Sequence, residues 1–187
     1  MSTARRLHYS YAQYLEIERM SSVKHEYLDG EIYARPGGTP QHGMLASRIA
    51  ALVSQQLPTE CRGASSDVKV TVLATGLATY PDWSVVCGKM QTDPKDPHAV
   101  TNPTLIVEVT SPSTEDYDRG DKLSHYKQIE SVQAIVIVSH SSKRLTVVAR
   151  DGQKWAVRDY RPGERATFGA PSVELGVDEV YSALDGL

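Results

Sequence analysis

The sequence predicts an α/β (α+β) architecture, a central mixed β-sheet flanked by helices with extra antiparallel hairpins, on three observations. Residues 104–110 and 132–140 are short, almost wholly apolar runs, the pattern of interior strands covered on both faces. Residues 39–57 repeat apolar side chains at the helical period, which makes a helix that packs on such a sheet. Asp29-Gly30 and Asp151-Gly152 are hairpin turn signals between strand-like segments.

Taken in order, residues 10–18 read as a short amphipathic helix capped by Ser10, with Tyr11, Tyr14 and Leu15 on one face. A hairpin about Asp29-Gly30 follows and carries Glu26, whose spacing alone suggests a solvated carboxylate. The helix over 39–57 is bounded by Pro40 and Pro58 and places Met44, Leu45, Ile49, Leu52, Val53 and Leu57 on one face. His42 lies in its first turn, a position for a surface residue, a helix-end hydrogen bond or a phosphate contact. Residues 67–74 form a strand in which Val68, Val70 and Val72 alternate with Lys69 and Thr71, closed by a turn at Gly76. Residues 78–87 return as its neighbour, with Pro81 at the strand's first position and Asp82 at its start.

The segment 88–103, with Pro94, Pro97 and Pro103 and no periodicity, predicts a mobile surface loop placed to cover a cleft. Glu108 then interrupts the apolar strand, and a helix from about Tyr117 to Glu130, capped by Ser113 or Thr114, puts Asp118, Lys122 and Tyr126 on one face. Taken alone, Lys122 would be a surface salt-bridge partner of Asp118. Two antiparallel strands joined at Asp151-Gly152 carry Arg144, Arg150 and Arg158 as solvated positions, and a short strand and terminal helix capped by Asp178 end the chain.

The chain's 187 residues suit one domain, 1–187, with a full core. Hydrophobic residues at 40% and charged ones at 23% exclude a disordered chain. No apolar run approaches the ~18 residues of a membrane span and no apolar signal core opens the chain, so the expected location is cytoplasmic, with no membrane partner. Cys61 and Cys87 lack metal-ligand spacing and read as reduced thiols, a bridge between them being the lesser alternative. A net charge of −3 means that any grip on phosphate backbones comes from a local patch or from metal ions.

The chemistry concentrates between Tyr80 and Tyr126. Asp82 and Glu108 sit on two strands, with Lys122 on the helix that folds back across the sheet. Two carboxylates on a buried sheet are costly unless a cation holds them together. Pro81-Asp82, followed 26 positions later by Glu108-Val109-Thr110, resembles the PD-(D/E)XK restriction-endonuclease-like nucleases. The segments HEYLDGEIY (25–33), PDWSVVC (81–87), IVEVTSPST (106–114) and DRGDKLSHYKQIESVQAIVIV (118–138) are similar to the Uma-type bacterial nucleases of that superfamily, over about Tyr9 to Leu184.

That resemblance implies a restriction-endonuclease-like fold and a divalent-metal-dependent endonuclease hydrolysing phosphodiester bonds in DNA. Asp82 and Glu108 would be catalytic carboxylates ligating Mg2+ (or Mn2+), with the Val109 main-chain carbonyl as a third ligand. Glu26 would contribute near the metal. Thr110 stands where the fullest pattern has a lysine, and the resemblance moves that role to Lys122. DNA is the implied partner, and cutting two strands would suit a homodimer. Two other classes stay open: a nuclease-like fold that binds nucleic acid or a protein without cutting, and a hydrolase using Asp82 and Glu108 as a metal-free acid/base pair, which leaves Lys122 without a role.

Overall fold

The structure, a computed structural model, describes residues 7–35 and 37–186. Helix α1, Tyr11–Met20, starts where Ser10 and Gln13 close a reciprocal capping box. Its buried residue, Tyr14, stacks on Tyr27 with 5.2 Å between ring centroids. Strands β1 (His25–Leu28) and β2 (Glu31–Ala34) form the expected hairpin, with Asp29 and Gly30 at φ of 45° and 81°. A primed turn needs positive φ at both positions, which glycine and aspartate tolerate best.

Helix α2, Pro40–Ser54, begins with the Thr39 hydroxyl accepting the His42 N–H at 3.2 Å. It buries Leu45, Ile49, Leu52 and Val53. Met44, expected on that face, is 40% exposed, because one residue before Leu45 is rotated about 100° away from it.

Strands β3 (Cys61–Ser65), β4 (Lys69–Val72), β5 (Leu77–Thr79), β6 (Trp83–Cys87), β7 (Thr92–Asp93), β8 (Asp96–Val100) and β9 (Leu105–Val109) lead to two short helices, α3 (Glu115–Arg119) and α4 (Asp121–Tyr126). Strands β10 (Ala134–Val138), β11 (Leu145–Asp151), β12 (Lys154–Tyr160), β13 (Arg165–Gly169) and β14 (Ser172–Gly176) and helix α5 (Val177–Tyr181) follow. They make two mixed six-stranded sheets, ordered β2-β1-β5-β4-β8-β7 and β12-β11-β10-β9-β6-β3, and a β13-β14 hairpin.

Every residue of β9 and β10 is buried, and these two strands run parallel, as their unbroken apolar sequences require. One face of the second sheet packs on α2, α5 and the β13-β14 hairpin through Leu45, Ile49, Val107, Val136 and Leu175. On the other face Ile106, Ile135 and Ile137 meet Tyr126 of α4 and Val70, Val72 and Leu77 of the first sheet. Among the described residues no helix is long and apolar enough to cross a membrane.

Several expectations are corrected. The strand after Gly76 does return beside β4, but only as β5; at Pro81-Asp82 the chain leaves that sheet, and Trp83–Cys87 pairs with β3 and β9 instead. Proline has no N–H for the ladder, so pairing stops there and Asp82 precedes β6. Lys69 and Thr71 are buried together with Val70 and Val72 because α1 covers their face: Lys69 Nζ lies 4.8 Å from the Tyr14 ring centroid. Segment 88–103, expected as an irregular loop, carries two strands. It folds as the β7-β8 hairpin, with β8 parallel to β4, held by the Lys69–Asp96 pair at 2.9 Å and by Asp93 accepting the Lys95 N–H at 2.8 Å.

The helix expected over 117–130 breaks at Gly120, whose φ of −102° and ψ of −99° lie outside the helical region. The cap of α5 is Gly176, and Asp178 accepts the Gly163 N–H at 2.7 Å instead. Arg150 is no solvated decoration, for its guanidinium donates to the Val132 and Ile129 carbonyls and lies 4.4 Å from the Trp155 ring centroid. Cys61 and Cys87, expected as thiols, face each other in the β3-β6 register and form a disulfide. Facing residues of adjacent antiparallel strands bring their Cβ atoms within bridging reach.

Candidate active site

The β6-β9 register pairs Trp83 with Val107, and continuing it by one residue sets Asp82 opposite Glu108. Residues so placed share a face of the sheet. Asp82 is further tied to β9 by the Val109 N–H, which donates to its Oδ2 at 2.8 Å. Arg35, just past β2, places Nη2 2.6 Å from Asp82 Oδ1, and His42 brings Nε2 to 3.2 Å from Oδ2. A Cβ on Gly38 would stand 2.7 Å from His42 Nδ1, so the ring packs where only glycine fits without displacing it.

Burial alone would push the Asp82 carboxyl up. The hydrogen bond from His42, the Arg35 charge and the Val109 N–H outweigh it and hold the group below the usual carboxylate range. The same hydrogen bond raises His42 against its own burial, with the Val109 main chain adding to the effect.

Glu108 is 2% exposed, and its Oε1 accepts the Tyr126 hydroxyl at 2.6 Å and lies 2.9 Å from Lys122 Nζ. Burial pushes this carboxyl up to about 7; Lys122 opposes that, while the charges of Asp82 and Asp118 reinforce it. Lys122 is itself buried, which alone would favour the neutral amine. Its ammonium sits 3.3 Å from Glu26 Oε1 and 3.7 Å from Asp118 Oδ1 as well, and the three carboxylates raise it above the ordinary lysine range. Glu26 is fixed in turn by the Thr79 hydroxyl at 2.6 Å. The helical spacing that predicted a shared face for Asp118, Lys122 and Tyr126 survives the break at Gly120, and all three point inward.

Asp82, Glu108, Lys122, Glu26 and His42 are thus brought into one cluster. Glu26 is not the solvated carboxylate its spacing suggested, and Lys122 is not on a wet surface. Thr110 turns away: its Oγ1 is 2.9 Å from His140 Nδ1 and accepts the His140 N–H at 3.1 Å. Sequence reasoning missed Arg35, because a single arginine after a strand belongs to no pattern and its partner is 47 residues away. Tyr126 was visible in the helical spacing, though not as the hydroxyl that holds Glu108.

The cluster fits a hard divalent cation in donor chemistry and in charge. With all four carboxyls (Glu26, Asp82, Glu108, Asp118) ionised, as a bound cation would favour, Arg35 and Lys122 leave two negative charges before His42 is counted. Among the described residues no group of three or more His, Cys, Asp or Glu side chains is already arranged to hold an ion. Arg35 and Lys122 instead face the oxygens an ion would use.

Comparisons with known proteins bear on the family and the fold. A family model described as "Uma2: Putative restriction endonuclease" matches residues 11–178. Two relatives in Synechocystis sp. (strain ATCC 27184 / PCC 6803 / Kazusa) are described as uncharacterized. Protein slr1290 is 34% identical over 92% of this chain and 90% of its own length, and sll1609 is 26% identical over 83% and 88%. A crystal structure titled as a putative nuclease belonging to DUF820, from Anabaena variabilis ATCC 29413, superposes with a TM-score of 0.72 at 17% identity, over 88% of this chain and 93% of that one. At that identity it shows the fold, which is restriction-endonuclease-like.

Proposed function

This chain belongs to the Uma2 family, and from that premise we propose that it is a divalent-metal-dependent endonuclease hydrolysing phosphodiester bonds in DNA at the cluster around Asp82 and Glu108. The observation that carries the reading is the buried Lys122 ammonium, supplied by α4 and held against Glu108 and Glu26, where the strand itself offers only Thr110. A buried lysine kept cationic among carboxylates is a costly arrangement for structure alone.

Asp82, Glu108 and the Val109 carbonyl, with Glu26 alongside, would hold Mg2+ or Mn2+. When bound, such an ion supplies Lewis-acid polarisation of the scissile phosphate and of the attacking water. Lys122 offsets negative charge developing on the phosphate and orients the water. Tyr126 and Lys122 fix the Glu108 carboxylate, and Arg35, His42 and the Val109 N–H fix Asp82. Without the ion, burial leaves the Glu108 carboxyl raised to about 7, so a proton and the cation would compete for it.

The saturation of Asp82 by three donors favours one second reading, a closed cluster that binds nucleic acid without cutting. Incubating supercoiled plasmid with the protein and Mg2+ or Mn2+ separates the two. Nicking by wild type and none by Asp82→Ala or Glu108→Ala supports the nuclease. Cleavage by Asp82→Ala at the wild-type rate would remove Asp82 from the chemistry, and calorimetry with no heat for either ion would favour the second reading.

A further inference from the structure

Beyond the carboxyl ends of the parallel strands β9 and β10, a second polar cluster gathers around one carboxylate. Glu115, at the start of α3, has its Oε1 3.0 Å from Arg119 Nε and 3.6 Å from Arg144 Nη2, and its Oε2 3.8 Å from His140 Nδ1. The four side chains are each about a quarter exposed, at 27%, 25%, 24% and 23% for Glu115, Arg119, Arg144 and His140. The arginines are anchored from behind: Arg119 Nη1 donates to Thr146 Oγ1 at 3.2 Å, Thr146 donates to Asp159 at 2.6 Å, and Arg144 Nη1 lies 3.9 Å from Asp159. Arg144, expected as a solvated position, is therefore part of a built network.

Two guanidinium nitrogens in this cluster, Arg119 Nη2 and Arg144 Nε, are buried without a hydrogen-bond partner. Unsatisfied buried donors are uncommon, and guanidinium is shaped to grip oxyanions through several N–H groups at once. The cluster also adjoins the candidate active site along the chain. His140 is bonded to Thr110, two residues past Glu108, and Arg119 follows Asp118, which faces Lys122. Ligands of open α/β sheets bind beyond the carboxyl ends of parallel strands, which is where this cluster stands.

We infer that Arg119, Arg144 and His140 form a subsite for a backbone phosphate of the bound strand beside the one that is cut, and that Glu115 holds the subsite closed until that phosphate displaces it. The inference rests on the nucleic-acid-cleaving reading above. A phosphodiester carries one negative charge, as Glu115 does, so the exchange leaves the charge balance of the arginines unchanged. Freed from the network, the partly exposed Glu115 returns to water. With a net chain charge of −3, a grip on DNA comes from local patches of this kind or from metal ions.

The test is equilibrium binding of a fluorescein-labelled duplex oligonucleotide to the full chain, by anisotropy in Ca2+ over a KCl series. Arg144→Ala is expected to weaken binding on the order of tenfold and to reduce the salt slope by about one phosphate contact. Glu115→Gln is expected to tighten binding several-fold, because it removes the competing anion. A misfolded variant could only lose affinity, so the opposite signs separate a phosphate subsite from a structural ion network. Equal affinities for all three proteins, or a loss in Glu115→Gln as well, would overturn the inference. So would a loss in Arg144→Ala seen only with 5′-phosphorylated DNA, which would assign a terminal phosphate instead. Plasmid cleavage in Mg2+ is scored separately. Cutting by wild type with unmoved affinities sinks the subsite alone, whereas opposite-sign affinity changes without cutting sink the nuclease and leave the subsite.

Discussion

Lys122 Nζ stands 2.9 Å from Glu108 Oε1, with the two side chains 4% and 3% exposed and contributed by different elements, α4 and β9. A buried ion pair contributes little net stability, but removing one partner strands the other charge. Lys122→Met should therefore lower the unfolding free energy by about 3 kcal/mol in urea melts. The Glu108→Gln/Lys122→Met double variant should lose less than the sum of the single changes. Strict additivity would mean that the two groups are not coupled.

The pH dependence of stability carries a sign set by Glu108. Its folded carboxyl is raised from 4.5 to about 7. A folded pKa above the unfolded one gives stability that is full below the unfolded value and lost as pH rises through the folded one. Between pH 4.5 and 7 this group should remove about 3 kcal/mol. Glu108→Gln should flatten that fall. Asp82, held low, acts oppositely: its contribution is present above the unfolded aspartate range and lost in stronger acid. Urea melts from pH 4.5 to 8 would show the difference, and parallel curves for wild type and Glu108→Gln would contradict it.

Restoring the lysine of the fuller motif should not help. Thr110 is fully buried and holds His140 through both its ring and its N–H. Thr110→Lys would break both bonds and force a longer, charged side chain into a fully buried position, costing about 2 kcal/mol. A thermal melt checks this; a Tm at or above that of wild type would show that the strand end accepts the longer side chain.

The Cys61–Cys87 bridge closes a sequence separation of 26 residues. Reduction, or Cys61→Ser/Cys87→Ser, should lower unfolding stability by about 3 kcal/mol, chiefly by freeing the unfolded chain. Melts with and without dithiothreitol measure it. Thiol counting under denaturing conditions should find no free thiol before reduction.

The interior strands and α2 were legible because burial on both faces, or on one helical stripe, leaves a period in the apolar residues. Asp82 and Glu108 were legible through a motif whose spacing follows from adjacent strands, and Lys122 only through the resemblance to the Uma-type nucleases, since the motif's own position holds Thr110. Arg35 was not, since the loop between β2 and α2 that delivers it has no period. Nor was the crossing at Pro81, where the strand signal on either side runs unbroken although the two halves belong to different sheets. The β7-β8 hairpin hid behind its prolines: its order comes from Asp93 and Asp96 bonding locally and to Lys69, contacts that composition reads only as polarity.

That crossing leaves Asp82 outside both ladders. The β6-β9 register brings it opposite Glu108, but its carboxylate is held by three tethers from separate segments, namely Arg35, His42 and the Val109 amide. A substitution anywhere along those tethers would therefore act like slackening one guy rope of a mast, moving the carboxylate while every strand around it stays paired.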